Sequence, residues 1–200
     1  MFDILLRPLK DKLLDPLAKL LSRMFSANTV TLMSLLLGIA SVIAVFYGYI
    51  GTGLIFWILN RITDGLDGAV ARVTNKSSDY GGYIDIMADF LIYAALPIAF
   101  ALQSPAEAAL TAVAVLLAAF YINAGAWMYL SALLEKRGRA STREVTAVTM
   151  PEGLIGGTET VIFFTLFFLL PQYLVFMYYL MAALTLISAA QRIIWAMRKL

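Results

Sequence analysis

"DGLDGAVARVTNKSSDYGGYIDIMAD", residues 64–89, sets four aspartates besides Asp79, namely Asp64, Asp67, Asp85 and Asp89, into two glycine-bearing runs on either side of a short polar turn. Steps of three and four residues keep most of Asp64, Asp67, Gly68, Ala71 and Arg72 on one helical face. Gly81, Asp85 and Asp89 share a face in the same way. The turn "VTNKSSDY" leaves room only for a reversal, so the two helices are expected to be antiparallel neighbours with their carboxylates facing each other.

Outward from this stretch the chain is built for lipid. It has 200 residues, 62% hydrophobic and 14% charged, and a mean hydropathy of +0.84, far more apolar than a soluble domain of that length. Cysteine and histidine are both absent, which excludes disulfides, thiolate or zinc-type sites and histidine-based triads. Carboxylates and hydroxyls remain as ligands for a hard metal. The net charge of +2 reflects basic loops, and nothing points to nucleic acid.

Apolar spans are expected at about 29–47, 52–72, 82–101, 108–134, 153–170 and 173–195. The connections "YGYIG", "QSPAEA" and "PQY" carry no Lys or Arg; the N-terminal segment, "RVTNKSSD", "EKRGRASTRE" and the terminal "RKL" carry nearly all of them. The positive-inside rule then places both termini in the cytoplasm, as six crossings also require. Residues 1–27 mix leucines with Arg7, Lys10, Lys12, Lys19 and Arg23 and are split by Pro8 and Pro16, the composition of two short amphipathic surface helices. The expected architecture is all-α: amphipathic interfacial helices over 1–27, then a six-transmembrane-helix bundle over 28–200.

Four carboxylates near a bilayer repel each other strongly unless cations compensate them. Oxygen-only ligation favours Mg²⁺ or Mn²⁺, two such ions match four negative charges, and two-metal sites commonly serve displacement at phosphorus. The competing reading is a structural ion-pair network with Arg61, Arg72 and Lys76. The clustered glycines, Gly65, Gly68, Gly81 and Gly82, either expose backbone to a ligand or allow close helix packing.

The full pattern is Asp, two residues, Asp-Gly, two residues, Ala-Arg, eight residues, Gly, three residues, Asp, three residues, Asp. It resembles the signature of the CDP-alcohol phosphotransferases, integral membrane enzymes, with every fixed position present. The resemblance implies that an alcohol hydroxyl attacks the β-phosphorus of a CDP-linked donor and releases CMP. It implies metal ligation by Asp64, Asp67 and Asp85, with Asp89 as general base and a possible further metal contact. It also implies nucleotide binding by Gly68, Arg72, Ser78 and Gly81, and a homodimer. Asn28 and Thr31, in "SANTVT", resemble the family's residues on the cytidine side; Ser26, Asn28 or Thr29 would equally cap the first long helix.

A site at the cytoplasmic interface suits a lipid-linked donor such as CDP-diacylglycerol, with its tails among membrane lipids, and a polar alcohol as acceptor. Lys136 and Arg139 in the fourth loop, Glu152 at the fifth span and Arg192 in the last are the candidate acceptor contacts. For the basic loop, topology is the blander reading. Relatives that use inositol phosphate carry Pro-Glu-Arg where this chain has Pro151, Glu152 and Gly153; Glu152 and Glu159 point instead to an uncharged polyol or an amine. Two alternatives stand beside the phosphatidyl transfer: movement of a CDP-linked polar head group onto a lipid alcohol such as diacylglycerol, and a divalent-cation transporter.

Overall fold

In the computed structural model, which describes residues 14–137 and 153–200, every regular element is helical. In chain order these are α1 (14–21), α2 (Ala27–Phe46), α3 (Ile50–Val73), α4 (Asp79–Gln103), α5 (Ala108–Lys136), α6 (Gly157–Leu169), a 3₁₀ turn (Pro171–Tyr173) and α7 (Leu174–Lys199). Residues 1–13, half of the expected surface segment, lie outside the described residues, as do Arg139 and Glu152.

The ends of the helices follow local chemistry. Ser26 accepts a hydrogen bond from the Thr29 amide (3.2 Å) and caps α2. That frees the Asn28 side chain from the capping task. The turn after α3 closes with Asn75 in the left-handed region (φ 53°), the Lys76 amide donating to Ala71 O (3.0 Å) and the Asn75 amide to Arg72 O (3.1 Å). Asparagine is one of the few residues that tolerates this conformation. Two residues on, Ser78 caps α4 by accepting from the Gly81 amide (3.1 Å).

Four helices are long and apolar enough to cross a bilayer: α2, α4, α5 and α7 with its preceding 3₁₀ turn. The chain is therefore an integral membrane protein. α3, with 24 residues, is long enough but interrupted by Arg61, Asp64, Asp67 and Arg72. α6 is shorter than the expected span 153–170. Its 13 residues rise about 20 Å against a hydrocarbon thickness of about 30 Å. The helix starts only after Gly156, whose amide donates to the Glu159 carboxylate (3.1 Å), so Glu159 is a helix-start acceptor.

Side-chain pairs fix the direction of each helix. Thr31 meets Asp67, Ser34 meets Asn60 and Ser41 meets Gly53, which makes α2 and α3 antiparallel. Asn28 lies at Gly81 and Gly38 at Ile92, so α4 runs parallel to α2. The Tyr178 hydroxyl donates to Pro97 O (2.7 Å), joining the start of α7 to the far part of α4. The start of α2 and the end of α7 consequently lie at the same end of the bundle, the end that holds the aspartates.

Two cores result. The larger is aromatic: Trp57 stacks on Phe164 with ring centroids 5.4 Å apart, and Phe167 meets Tyr178 edge-on at 5.0 Å. The smaller sits at the aspartate end, where fully buried Ala18 of α1 packs on Val30, Leu66, Ala69 and Val70. Leu17, Leu20 and Met24 stay exposed beside it, as an interfacial helix requires.

Candidate active site

Between α2 and α3 the packing is polar. Ser34 Oγ donates to Asn60 O (3.1 Å) while Asn60 Nδ2 returns to Ser34 O (2.8 Å), and Ser41 Oγ donates to Gly53 O (2.8 Å). Small residues let the backbones come this close. A Cβ on Gly38 would lie 2.7 Å from Ile92 Cγ1, and one on Gly53 2.8 Å from Val45 Cγ2. The last rung is Thr31 Oγ1 donating to Asp67 Oδ2 (2.7 Å). That bond fixes the register of α2 against the aspartates.

Asp64, Asp85 and Asp89 line one narrow cleft together with Thr31, Ser34, Asn60 and Arg61. Asp67 stands behind it, 6% exposed, whereas the Asp89 side chain is 29% exposed. Asp89 is thus the more open of these two carboxylates. The Arg61 guanidinium reaches across the cleft, 3.0 Å from Asp89 Oδ1 and 3.6 Å from Asp64 Oδ2. Part of the ion-pair network weighed as the competing reading is thus present, carried by Arg61. Among the described residues no three carboxylates close on a single point as metal ligands do. The carboxylate and hydroxyl donors that line the cleft fit a hard divalent ion in kind.

At the same end, Asn28 and Ser78 converge on Gly81: a Cβ there would sit 3.1 Å from both Asn28 Oδ1 and Ser78 Oγ. Asn28 and Ser78 also border a cavity of about 390 Å³, with Arg23, Phe25, Thr74 and Lys76 on its other sides. Gly68 lies against Arg72, whose Nη1 is 3.4 Å from the position a Cβ would take; Arg72 itself is exposed in the last turn of α3.

The chain's similarities sort these features. The sequence model of the CDP-alcohol phosphatidyltransferase family matches residues 24–194, a range that takes in every residue of the cleft and ends within α7. The chain belongs to this family. The family is one of transferases of phospholipid synthesis, and a CDP-alcohol phosphatidyltransferase is the class of enzyme the match indicates. The chain is 32% identical over 175 residues to the inner membrane protein YnjF of Escherichia coli, covering 86% of this chain and 84% of that protein. Over 62 residues it is 40% identical to the bifunctional IPC transferase and DIPP synthase of Archaeoglobus fulgidus, 31% of this chain and 12% of that one. In fold it is similar to the crystal structure of Mycobacterium tuberculosis phosphatidylinositol phosphate synthase (PgsA1) with CDP-DAG bound, at a TM-score of 0.69 and 18% identity, covering 91% and 92% of the two chains.

In this phosphatidyltransferase the expected acceptor contacts lie apart from one another in character. Lys136 is exposed in the last turn of α5. Arg192 is buried in α7, 8% exposed, and donates to Asn123 Oδ1 of α5. Arg192 Nε and Thr185 Oγ1 are the buried side-chain polar atoms that lack a hydrogen-bond partner among the described residues. Ser188, between them on the same face, accepts from the Ile155 amide (2.9 Å). Gly153 is pressed onto this cluster, its notional Cβ 2.5 Å from Ser188 Cβ and 3.2 Å from Arg192 Nη2, so no side chain fits there.

Sequence reasoning left Arg61 as a mere counter-ion and missed Asn60 and Tyr93. A lone arginine in an apolar span was the available signal; its partners become visible only once α3 and α4 are paired.

Proposed function

We propose that the protein transfers a phosphatidyl group from CDP-diacylglycerol to the hydroxyl of a polar alcohol and releases CMP, at a site opening on the cytoplasmic face. The observation that carries this reading is the juxtaposition of Asp64, Asp85 and Asp89, from two helices, on one cleft at the bundle end where Asn28, Ser78 and Gly81 meet. The cavity of about 390 Å³ falls in the size range of small-ligand sites, roughly 300–1,000 Å³. We place the cytidine there, with Arg23 and Lys76 supplying positive charge and Gly68 and Arg72 facing the diphosphate.

Asp64, Asp67 and Asp85 would hold two Mg²⁺ or Mn²⁺ ions. When bound, such ions neutralise the diphosphate and stabilise CMP as a leaving group. Asp89, a partly exposed carboxylate of the cleft, takes the proton from the attacking hydroxyl. Thr31 keeps Asp67 turned toward the cleft from behind. The acceptor meets Arg192 and its unsatisfied Nε from the α5–α7 side, with Lys136, Arg139 and Glu152 as its further candidate contacts. Gly153 leaves no space for an arginine beside Arg192, which favours an acceptor other than a phosphorylated inositol.

The topology that goes with this reading is six crossings, α2 to α7, with both termini cytoplasmic, residues 1–27 lying in the interface and the chain acting as a homodimer. Basic loop charge supports that orientation, and the name of the Escherichia coli relative is consistent with a membrane location. The test is direct: purified protein with Mg²⁺ and CDP-diacylglycerol is given inositol phosphate, glycerol phosphate, serine, inositol and other alcohols, and CMP and the lipid product are identified by mass. Turnover of CDP-choline or CDP-ethanolamine with diacylglycerol in place of CDP-diacylglycerol would reverse donor and acceptor. Metal flux into vesicles without CMP from any donor would make it a transporter.

A further inference from the structure

We propose that Arg61 is the resident counter-ion of the carboxylate cleft and the residue that positions Asp89; the inference rests on the phosphatidyltransferase reading above. Arg61 is held from several directions at once. Arg61 Nε donates to Asn60 Oδ1 (2.7 Å), Nη1 to the Tyr93 hydroxyl (2.8 Å) and Nη2 to Asp89 Oδ1 (3.0 Å). Its guanidinium carbon lies 4.8 Å from the Trp57 ring centroid and 5.3 Å from that of Tyr93. Those two rings belong to the aromatic core through Phe164, at 5.4 and 5.2 Å. Asn60, in turn, is locked to Ser34 of α2.

Two consequences follow from that arrangement. An arginine does not give up its proton in a protein, so one of the four carboxylate charges is permanently offset and the cleft can exist without collapsing or splaying. The same fork ties Asp89 Oδ1 to a rigid wall and so sets how that carboxylate lies in the cleft. A divalent ion entering the cleft binds against a fixed positive charge, while the hydroxyl that loses its proton meets a carboxylate whose orientation is already set. Counter-ion and aim pull metal affinity and turnover in opposite directions when Arg61 is changed. A residue needed only for folding would move them together.

The experiment uses full-length protein in detergent, with Mn²⁺ binding measured by electron paramagnetic resonance in the absence of substrate, and CMP release measured at saturating Mn²⁺. Arg61→Gln is expected to bind Mn²⁺ about tenfold more tightly and to release CMP about a hundredfold more slowly. Arg61→Lys restores the charge without the planar fork, so Mn²⁺ affinity returns to the wild-type value and turnover stays about tenfold low. Tyr93→Phe removes one anchor, leaving Mn²⁺ affinity unchanged and turnover several-fold reduced. The proposal is overturned if Arg61→Gln loses Mn²⁺ affinity along with turnover, or if Arg61→Lys and Tyr93→Phe both turn over as wild type does. Those last two variants decide the matter if Arg61→Gln does not fold. Wild-type protein that binds no Mn²⁺ and releases no CMP would instead defeat the function proposed above.

Discussion

The bundle contains two buried arginines in different situations. Arg61 of α3 has every face occupied, by Asn60, Tyr93, Asp89, Asp64 and the Trp57 ring. Arg192 of α7 is the more buried of the two, 8% exposed, yet it donates to Asn123 alone and its Nε bonds to nothing among the described residues. A buried donor without a partner costs on the order of 1–3 kcal/mol. Such a group is kept where something else completes it. The contrast extends to the surroundings: α2, α3 and α4 are stitched by hydrogen bonds that fix register, while α6 and α7 hold together through aromatic rings that tolerate adjustment. The first region is built to hold a geometry, and the second leaves polar capacity open.

The largest expected effect tests the first region at the carboxylate that Arg61 holds. Asp89→Asn should keep donor and metal binding and lower CMP release by about 10²–10⁴-fold, the usual contribution of a general base. Unimpaired CMP release would refute the base assignment. Asp67→Asn, behind the cleft, should weaken metal binding first, so raising Mn²⁺ should recover part of its turnover. Thr31→Val comes next, because it removes the 2.7 Å bond to Asp67 while keeping the shape. A hydrogen bond to a charged group is worth about 1.5–3 kcal/mol, so turnover should fall about tenfold to a hundredfold. A Thr31→Val enzyme with wild-type kinetics would mean that the register of α2 does not govern the site.

Much of this region could be read from residue spacing, and its limits are equally physical. The turn between the two aspartate runs, the aspartate faces and the membrane environment follow from periodicity and composition, both local properties. The Thr31–Asp67 and Asn60–Ser34 links are not local, since they depend on how far α2 slides along α3. A polar residue in an apolar span announces that it has a partner without naming it. Sequence gave the Asn28 side chain and the Ser26 hydroxyl the same capping role, and only the cap at Ser26 shows Asn28 free to face Gly81. The start of α6 was misjudged because apolar content continues through 153–156, where Gly153 must press on α7 and Gly156 ends the extended run. That boundary gives Glu159 a helix-start role that the sequence did not show.

For the second region, Arg192→Gln should raise the acceptor KM by about tenfold, in line with one charged hydrogen bond, and leave donor binding unchanged. Steady-state kinetics with acceptor varied at saturating CDP-diacylglycerol checks it. A loss of donor binding instead would erase the division between the two regions.

The smallest effect is expected in the aromatic core. Phe167 is fully buried, meeting Tyr178 edge-on and Phe100 at 6.3 Å. Phe167→Leu keeps an apolar side chain of smaller size, so it gives up the ring contacts and opens a modest void. The cost should be about 1–2 kcal/mol of stability, seen as a lower thermal midpoint in detergent. Turnover should hold, because no hydrogen bond that orients the aspartates passes through Phe167. The ring does touch Phe164 at 5.2 Å, which backs both Trp57 and Tyr93, the walls of Arg61. A fall in kcat out of proportion to the lost stability would therefore show that the aromatic core also helps to aim Asp89, and that the two regions differ in kind of packing but share one task.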